Sequence, residues 1–121
     1  MRGIVLFGHG ARDPEWARPF EAIRDRVRAS RPEYPIELAY LEIMSPTLEE
    51  AIESLAKEGA SAITVFPLFM AQGGHLKRDV PALVEALRLR HPGCRVNLAV
   101  AVGEAEPVVA AMADYALRSC E

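Results

Sequence analysis

Long apolar runs are missing from this chain of 121 residues, although half of its residues are hydrophobic. No stretch approaches the roughly 18 consecutive apolar residues that a membrane-spanning helix requires. The first apolar run, 4–7, stops at Gly8-His9-Gly10. That is too short for the hydrophobic region of a signal peptide, and no small-residue cleavage site follows. The expectation is a cytoplasmic protein with no membrane partner. Cysteine is equally scarce. Cys94 and Cys120 are the only two, too few for a disulfide framework and without a zinc-ligand spacing, so both read as ordinary thiols. An excess of basic charge is also absent: 14 Lys and Arg face 17 Asp and Glu, for a net charge of −3. Nucleic-acid binders are more often basic, so no nucleic-acid partner is expected. Internal repeats, low-complexity tracts and linkers are absent too, so residues 1–121 read as a single domain.

The remaining pattern is an alternation of short apolar runs and helical stripes. Residues 4–7 are wholly apolar, as in a strand buried on both faces. Asp13-Pro14 resembles a helix cap followed by a first-turn proline. Trp16, Phe20, Ile23 and Val27 then recur at helical spacing, and Arg31-Pro32 marks the stop. Residues 36–43 read as a second strand. Ser45-Pro46 opens a second helix with Leu48, Ala51, Ile52 and Leu55 on one side and Gly59 as its C-terminal cap. Residues 62–66 form a third strand ending at Pro67, and a long loop is expected over 68–78. Asp79 and Pro81 start a third helix facing inward through Val80, Leu83, Val84 and Leu87, and His91-Pro92-Gly93 ends it. Residues 95–102 supply a fourth strand. Pro107 opens a last helix expected to bury Val109, Met112, Ala113 and Ala116. The order β-α-β-α-β-α-β-α predicts an α/β fold with a four-stranded parallel sheet, helices on both faces and right-handed crossovers.

In open parallel sheets ligands bind beyond the carboxyl ends of the strands, near the switch in strand order. Three reactive side chains fall there: His9 after the first strand, Glu42 near the end of the second and His75 in the loop after the third. Two imidazoles and a carboxylate suit a first-row divalent metal and equally suit proton transfer. Each also has a plain alternative. A histidine in a strand-to-helix loop often only hydrogen-bonds at the surface, Glu42 could cap a helix or pair with an arginine, and His91 reads as a partner of a helix C-terminus. The glycines around His9 and before His75 permit close approach of a ligand. Gly8-His9-Gly10 lacks the third glycine and the Lys-Ser/Thr pair of the stronger phosphate motifs, which speaks against nucleotide binding.

These segments carry a family resemblance. Leu6-Phe7-Gly8-His9-Gly10-Ala11-Arg12-Asp13-Pro14, Tyr40-Leu41-Glu42 with Ser45-Pro46-Thr47-Leu48-Glu49-Glu50-Ala51, Phe66-Pro67-Leu68-Phe69 and Gly73-Gly74-His75-Leu76-Lys77-Arg78-Asp79-Val80-Pro81 follow one another in order. Together they resemble the short form of the CbiX/SirB family, the class II chelatases acting on sirohydrochlorin. The resemblance implies insertion of a divalent metal into that macrocycle: cobalt for cobalamin, iron for siroheme, or nickel in some archaea. It implies His9 and His75 as the metal-binding and proton-accepting pair and Glu42 as a carboxylate of the same site. It also implies that short members form homodimers where longer relatives fuse two such domains. No cofactor is expected beyond the metal substrate, Co²⁺, Fe²⁺ or Ni²⁺. Many relatives carry serine where this chain has Ala11, so a hydroxyl is missing beside the first motif.

For the macrocycle, Met44, Leu68, Phe69 and Met70 are expected to form an apolar shelf. Arg12, Lys77 and Arg78, with Gly73 and Gly74 beside them, are expected to meet its acidic side groups. The alternative for these cations is a solvated charged loop. Two rival functions are a metal or tetrapyrrole carrier without turnover, and a histidine phosphate-ester hydrolase, for which Arg12 alone is a thin phosphate clamp.

Overall fold

The computed structural model describes residues 1–121. Four strands, β1 (Arg2–Gly8), β2 (Ile36–Tyr40), β3 (Ala62–Pro67) and β4 (Arg95–Leu98), form one parallel sheet in the order β2-β1-β3-β4. Four helices alternate with them: α1 (Arg18–Ser30), α2 (Leu48–Lys57), α3 (Gly74–Arg90) and α4 (Glu106–Ser119). The α/β fold with one four-stranded parallel sheet is thus the one the sequence predicts. β1 lies between β2 and β3, with Ile4 paired to Ile36 on one side and to Thr64 on the other. The strand order reverses around β1, so the residues following β1 stand at the switch point where such sheets bind ligands.

Because successive strand side chains point to opposite faces, each apolar run supplies two cores. Val5, Phe7, Ala39, Ile63 and Val65 pack with Ile52 and Leu55 of α2 and Val80, Val84 and Leu87 of α3. Ile52 and Leu55 are fully buried, each stabilising the fold by roughly 2 kcal/mol. On the opposite face Leu6, Ile36, Leu38 and Tyr40 pack with Ala17, and Trp16, Phe20 and Val27 lie against them half-buried. Burial, with the Glu21 charge second and opposed by Arg24, pushes the Tyr40 phenol above its ordinary range.

Local chemistry explains most boundaries. The Asp13 carboxylate accepts the Glu15 N–H, and a 3-10 stretch over Pro14–Ala17 leads into α1. Thr47 and Glu50 form a reciprocal capping box at the start of α2. The helix therefore begins at Leu48, not at Ser45-Pro46, where the peptide bond is cis. Gly59 has φ +102° just beyond α2, as its capping reading requires.

Four expectations are corrected. β2 stops at Tyr40, because residues 41–44 turn across the sheet edge, and β4 stops at Leu98. α3 begins at Gly74, five residues before Asp79, with Pro81 inside the helix. The long loop thereby shrinks to residues 68–73, and His75 sits in the first helical turn. An interior proline leaves the Lys77 carbonyl without its usual partner. Val80, Val84 and Leu87 are buried nonetheless, and their packing holds the helix through it. Finally, α4 buries nothing: Val109 and Met112 are 43% and 48% exposed, and Ala113 and Ala116 are exposed as well. Its main contacts are with the 3-10 turn Val102–Glu104 that precedes it. No helix is long and apolar enough to cross a membrane.

Candidate active site

The carboxyl edge of the sheet brings His9 and Glu42 together. β1 ends at Gly8, and the two following loops are laced by backbone hydrogen bonds: Leu41 N–H to Gly8 O at 2.9 Å and Glu42 N–H to His9 O at 3.1 Å. Gly10 fixes the spacing. Its φ is +101°, and a β-carbon there would stand 2.0 Å from the Glu42 carbonyl oxygen. At Gly8 a β-carbon would stand 3.1 Å from the Trp16 ring, a crowded contact that a shift of that ring by a few tenths of an ångström would relieve. Gly10 is therefore required by the protein's own backbone packing. Gly73 and Gly74 differ: a β-carbon at either meets nothing within 4 Å, so the space beside them is open.

His9 Nε2 lies 3.1 Å from Glu42 Oε1. An ionised carboxylate only accepts, so Nε2 is the donor in this contact, and in the neutral ring the lone pair lies on Nδ1. The side chains are 48% and 58% exposed. A polar contact this open to solvent contributes little to stability, about 0–1 kcal/mol, so it orients the imidazole more than it stabilises the fold. Beneath it Phe69 meets the His9 ring edge-on, centroids 6.4 Å apart, and meets Phe7 in the same manner at 5.8 Å. The imidazole thus has a carboxylate on one side and an aromatic floor.

Phe69 is accordingly not a shelf residue. It is 6% exposed and belongs to the core, because the in-out alternation of β3 continues past Pro67. Met44 is likewise half-buried against the α1 face. Leu68 and Met70 do reach an open apolar surface. They line a groove of about 520 Å³ between α1 and α4, together with Phe20, Phe66, Val108 and Met112. The loop carrying them is pinned by Gly103, whose N–H bonds to Phe69 O and which admits no β-carbon beneath the Met70 carbonyl.

His75 is exposed near the N-terminus of α3, where Gly73 provides no side-chain cap. The structure does not join it to the His9–Glu42 pair by a hydrogen bond, and no three His, Cys, Asp or Glu side chains converge at metal-binding spacing. Arg12, Lys77 and Arg78 are exposed, and none pairs with a carboxylate. The Arg78 Nε donates only to the Gly74 carbonyl, at 3.4 Å. None of the five main cavities is lined by His9, Glu42 or His75. The arrangement is an open rim with one oriented imidazole, a second imidazole, and unpaired cations.

Away from the rim, Cys94 is buried and burial raises its thiol pKa, while Cys120 is exposed. His91 caps α3 through its backbone, and its buried Nε2 has no partner; nothing in the structure accounts for that.

A sequence profile described as CbiX matches residues 3–119. A sirohydrochlorin cobaltochelatase of Methanopyrus kandleri is 36% identical over 84 residues, which span 69% of this chain and 59% of that protein. One of Saccharolobus islandicus is 34% identical over 105 residues, 84% of this chain and 80% of that protein. Among solved structures, a CbiX protein of Marinobacter aquaeolei VT8 superposes with a TM-score of 0.85 at 32% identity, covering 99% of this chain and 98% of that one. The sirohydrochlorin chelatase SirB of Bacillus subtilis subspecies spizizenii, in complex with cobalt, gives a TM-score of 0.74 at 28% identity and covers 87% of this chain. SirB of Bacillus subtilis with Fe³⁺ gives 0.75 at 30% identity. The chain spans only 45% and 44% of those two SirB chains. From its first strand to its last helix, the chain belongs to the CbiX family.

Proposed function

We propose that this protein is a sirohydrochlorin chelatase of the lyase type that inserts Co²⁺, with Fe²⁺ as the competing metal, in cobalamin or siroheme biosynthesis. The observation that carries the reading is the His9–Glu42 pair at the switch point of the sheet. The chelatase names of the relatives and the cobalt and iron bound by SirB support it. Insertion exchanges two pyrrole N–H protons for one divalent ion. The Nδ1 lone pair of His9 is a site for the incoming metal or for a departing proton, and Glu42 holds the ring in that tautomer. His75 is assigned as the second imidazole, a ligand or proton acceptor from the β3–α3 side. Arg12, Lys77 and Arg78, free of carboxylate partners, are assigned to the acidic side groups of the tetrapyrrole. The open space at Gly73 and Gly74 admits its edge, and the exposed Met70 gives it apolar contact. A multiple-turnover assay, followed by the absorbance change of sirohydrochlorin with Co²⁺, Fe²⁺ and Ni²⁺ in parallel, tests the reading. Product exceeding the protein concentration many-fold is expected. Product that stops at one equivalent identifies a carrier and ends the enzymatic reading.

The active unit is proposed to be a homodimer. A rim without an enclosed cavity leaves one face of a wide macrocycle uncovered, whereas ligand sites commonly bury about 70–90% of their ligand. The groove between α1 and α4 is lined only by apolar side chains, and α4 exposes Met112, Tyr115 and Leu117 beside it. SirB chains of about twice this length support a second copy as the occupant. Sedimentation at micromolar concentration should give a dimer that Met112→Arg dissociates. A fully active monomer, with a rate per chain independent of dilution, refutes the dimer, and a groove that binds some other protein instead does so equally.

A further inference from the structure

Ile43 is the one non-glycine residue with positive φ, at +72°. The Met44 N–H donates to the Glu42 carbonyl at 2.8 Å, closing a three-residue turn around Ile43 of the rarer, strained kind. A β-branched residue at positive φ is an outlier that glycine or asparagine would relieve. Backbone of this sort persists where the surrounding structure over-determines it, and it clusters at ligand sites.

The neighbours show what the turn accomplishes. Leu41 packs on the core shared with α2 and α3, and Met44 packs on the opposite core beside α1. Residues 41–44 thus straddle the carboxyl edge of the sheet, anchored on both faces. The two residues at the crest are Glu42, which reaches His9, and Ile43, whose side chain joins neither core and is 63% exposed. On the other side of β1, the loop after β3 presents Met70, 58% exposed. Two exposed apolar side chains therefore flank the His9 strand, one after each neighbouring strand. An exposed, β-branched apolar residue in a strained turn gains nothing from the fold in return.

We propose that Ile43 is a substrate-contact residue, an apolar arm that meets the flat face of the tetrapyrrole beside Glu42, opposite Met70. This rests on the chelatase reading and adds a residue to its site. The test compares wild type, Ile43→Gly and Ile43→Leu for thermal unfolding, for the Kd of metal-free sirohydrochlorin by absorbance titration, and for Co²⁺ insertion kinetics. Ile43→Gly should leave the melting temperature unchanged or raise it, because the turn strain is relieved. It should also weaken Kd and raise KM about tenfold, the loss expected for one buried aliphatic side chain, with kcat changed less than about twofold. Ile43→Leu should recover most of the affinity. Equal Kd for wild type and Ile43→Gly overturns the assignment while leaving the chelatase reading intact. A lowered melting temperature with unchanged Kd makes Ile43 structural and overturns it too. Weaker binding by Ile43→Gly in a protein that inserts no metal would sustain the contact and remove the enzymatic reading. A wild type that does not bind sirohydrochlorin overturns both.

Discussion

Replacing Gly10 by alanine isolates what the first loop does. The substitution adds one carbon at φ +101°, where that carbon would stand 2.0 Å from the Glu42 carbonyl oxygen. This is about 1.4 Å inside ordinary van der Waals contact. The obstacle is backbone, so it yields only if the β2–α2 loop moves. The left-handed conformation costs alanine about 1–2 kcal/mol, and losing the Glu42 N–H to His9 O bond costs about 1 kcal/mol more. A destabilisation of roughly 2–3 kcal/mol follows, a fall of about 10 °C in melting temperature for a domain of this size. Moving the loop also separates Glu42 from His9. Loss of such an orienting partner typically costs about 10–100-fold in metal affinity or activity. Gly73→Ala is the matched control. Its φ is −69° and its β-carbon would meet nothing, so stability should change by less than about 0.5 kcal/mol. Any loss of rate in that variant reports ligand approach. Thermal unfolding and Co²⁺ insertion are measured on both variants. A Gly10→Ala protein as stable and as active as wild type would refute the argument.

Three further outcomes are expected. Glu42→Gln should slow insertion more than it weakens tetrapyrrole binding, because the amide keeps the size but not the charge that holds the His9 N–H; equal losses, or an unchanged rate, count against that role. In the folded protein iodoacetamide should modify the exposed Cys120 and spare Cys94, whose burial both shields the thiol and disfavours its thiolate; mass spectrometry showing equal labelling before denaturation contradicts this. Stability should fall as pH rises above about 10, the ordinary tyrosine value. With the Tyr40 pKa raised in the folded state, the unfolded chain loses this proton first, so the native state binds more protons across that window and loses ground. A Tyr40→Phe protein should show a shallower decline in denaturant titrations between about pH 9 and 11, and an identical decline would dismiss the Tyr40 contribution.

What was legible in the sequence was whatever a local pattern records. Apolar runs of strand length announced β1 and β3, and the Leu48, Ala51, Ile52, Leu55 stripe announced α2 together with its buried face. A meeting of His9 with Glu42 was legible only on the condition that the first two strands are neighbours, and the pairing of β1 with β2 meets that condition. Features set by tertiary packing were hidden. Pro81 looks like a helix start because an interior proline is costly, and only the burial of Val80 and Val84 shows why the helix runs through it. Phe69 sits between Leu68 and Met70 in a run with no polar residue, so nothing in the letters marks it as the one facing the core. Ile43 looks like the end of a strand, because a positive φ leaves no trace when the residue is not glycine. The apolar residues of α4 suggested burial, yet the sheet leaves that helix unpacked and its surface open.

The claim that this rim performs metal insertion is tested most directly by the initial rate of Co²⁺ insertion into sirohydrochlorin, with protein far below substrate and the spontaneous rate subtracted. It should be measured for wild type, His9→Ala and His75→Ala, with far-UV circular dichroism confirming that each is folded. Wild type should turn over many times, and each histidine variant should lose most of the rate while keeping its spectrum. A folded His9→Ala protein that inserts cobalt as fast as wild type would contradict the account.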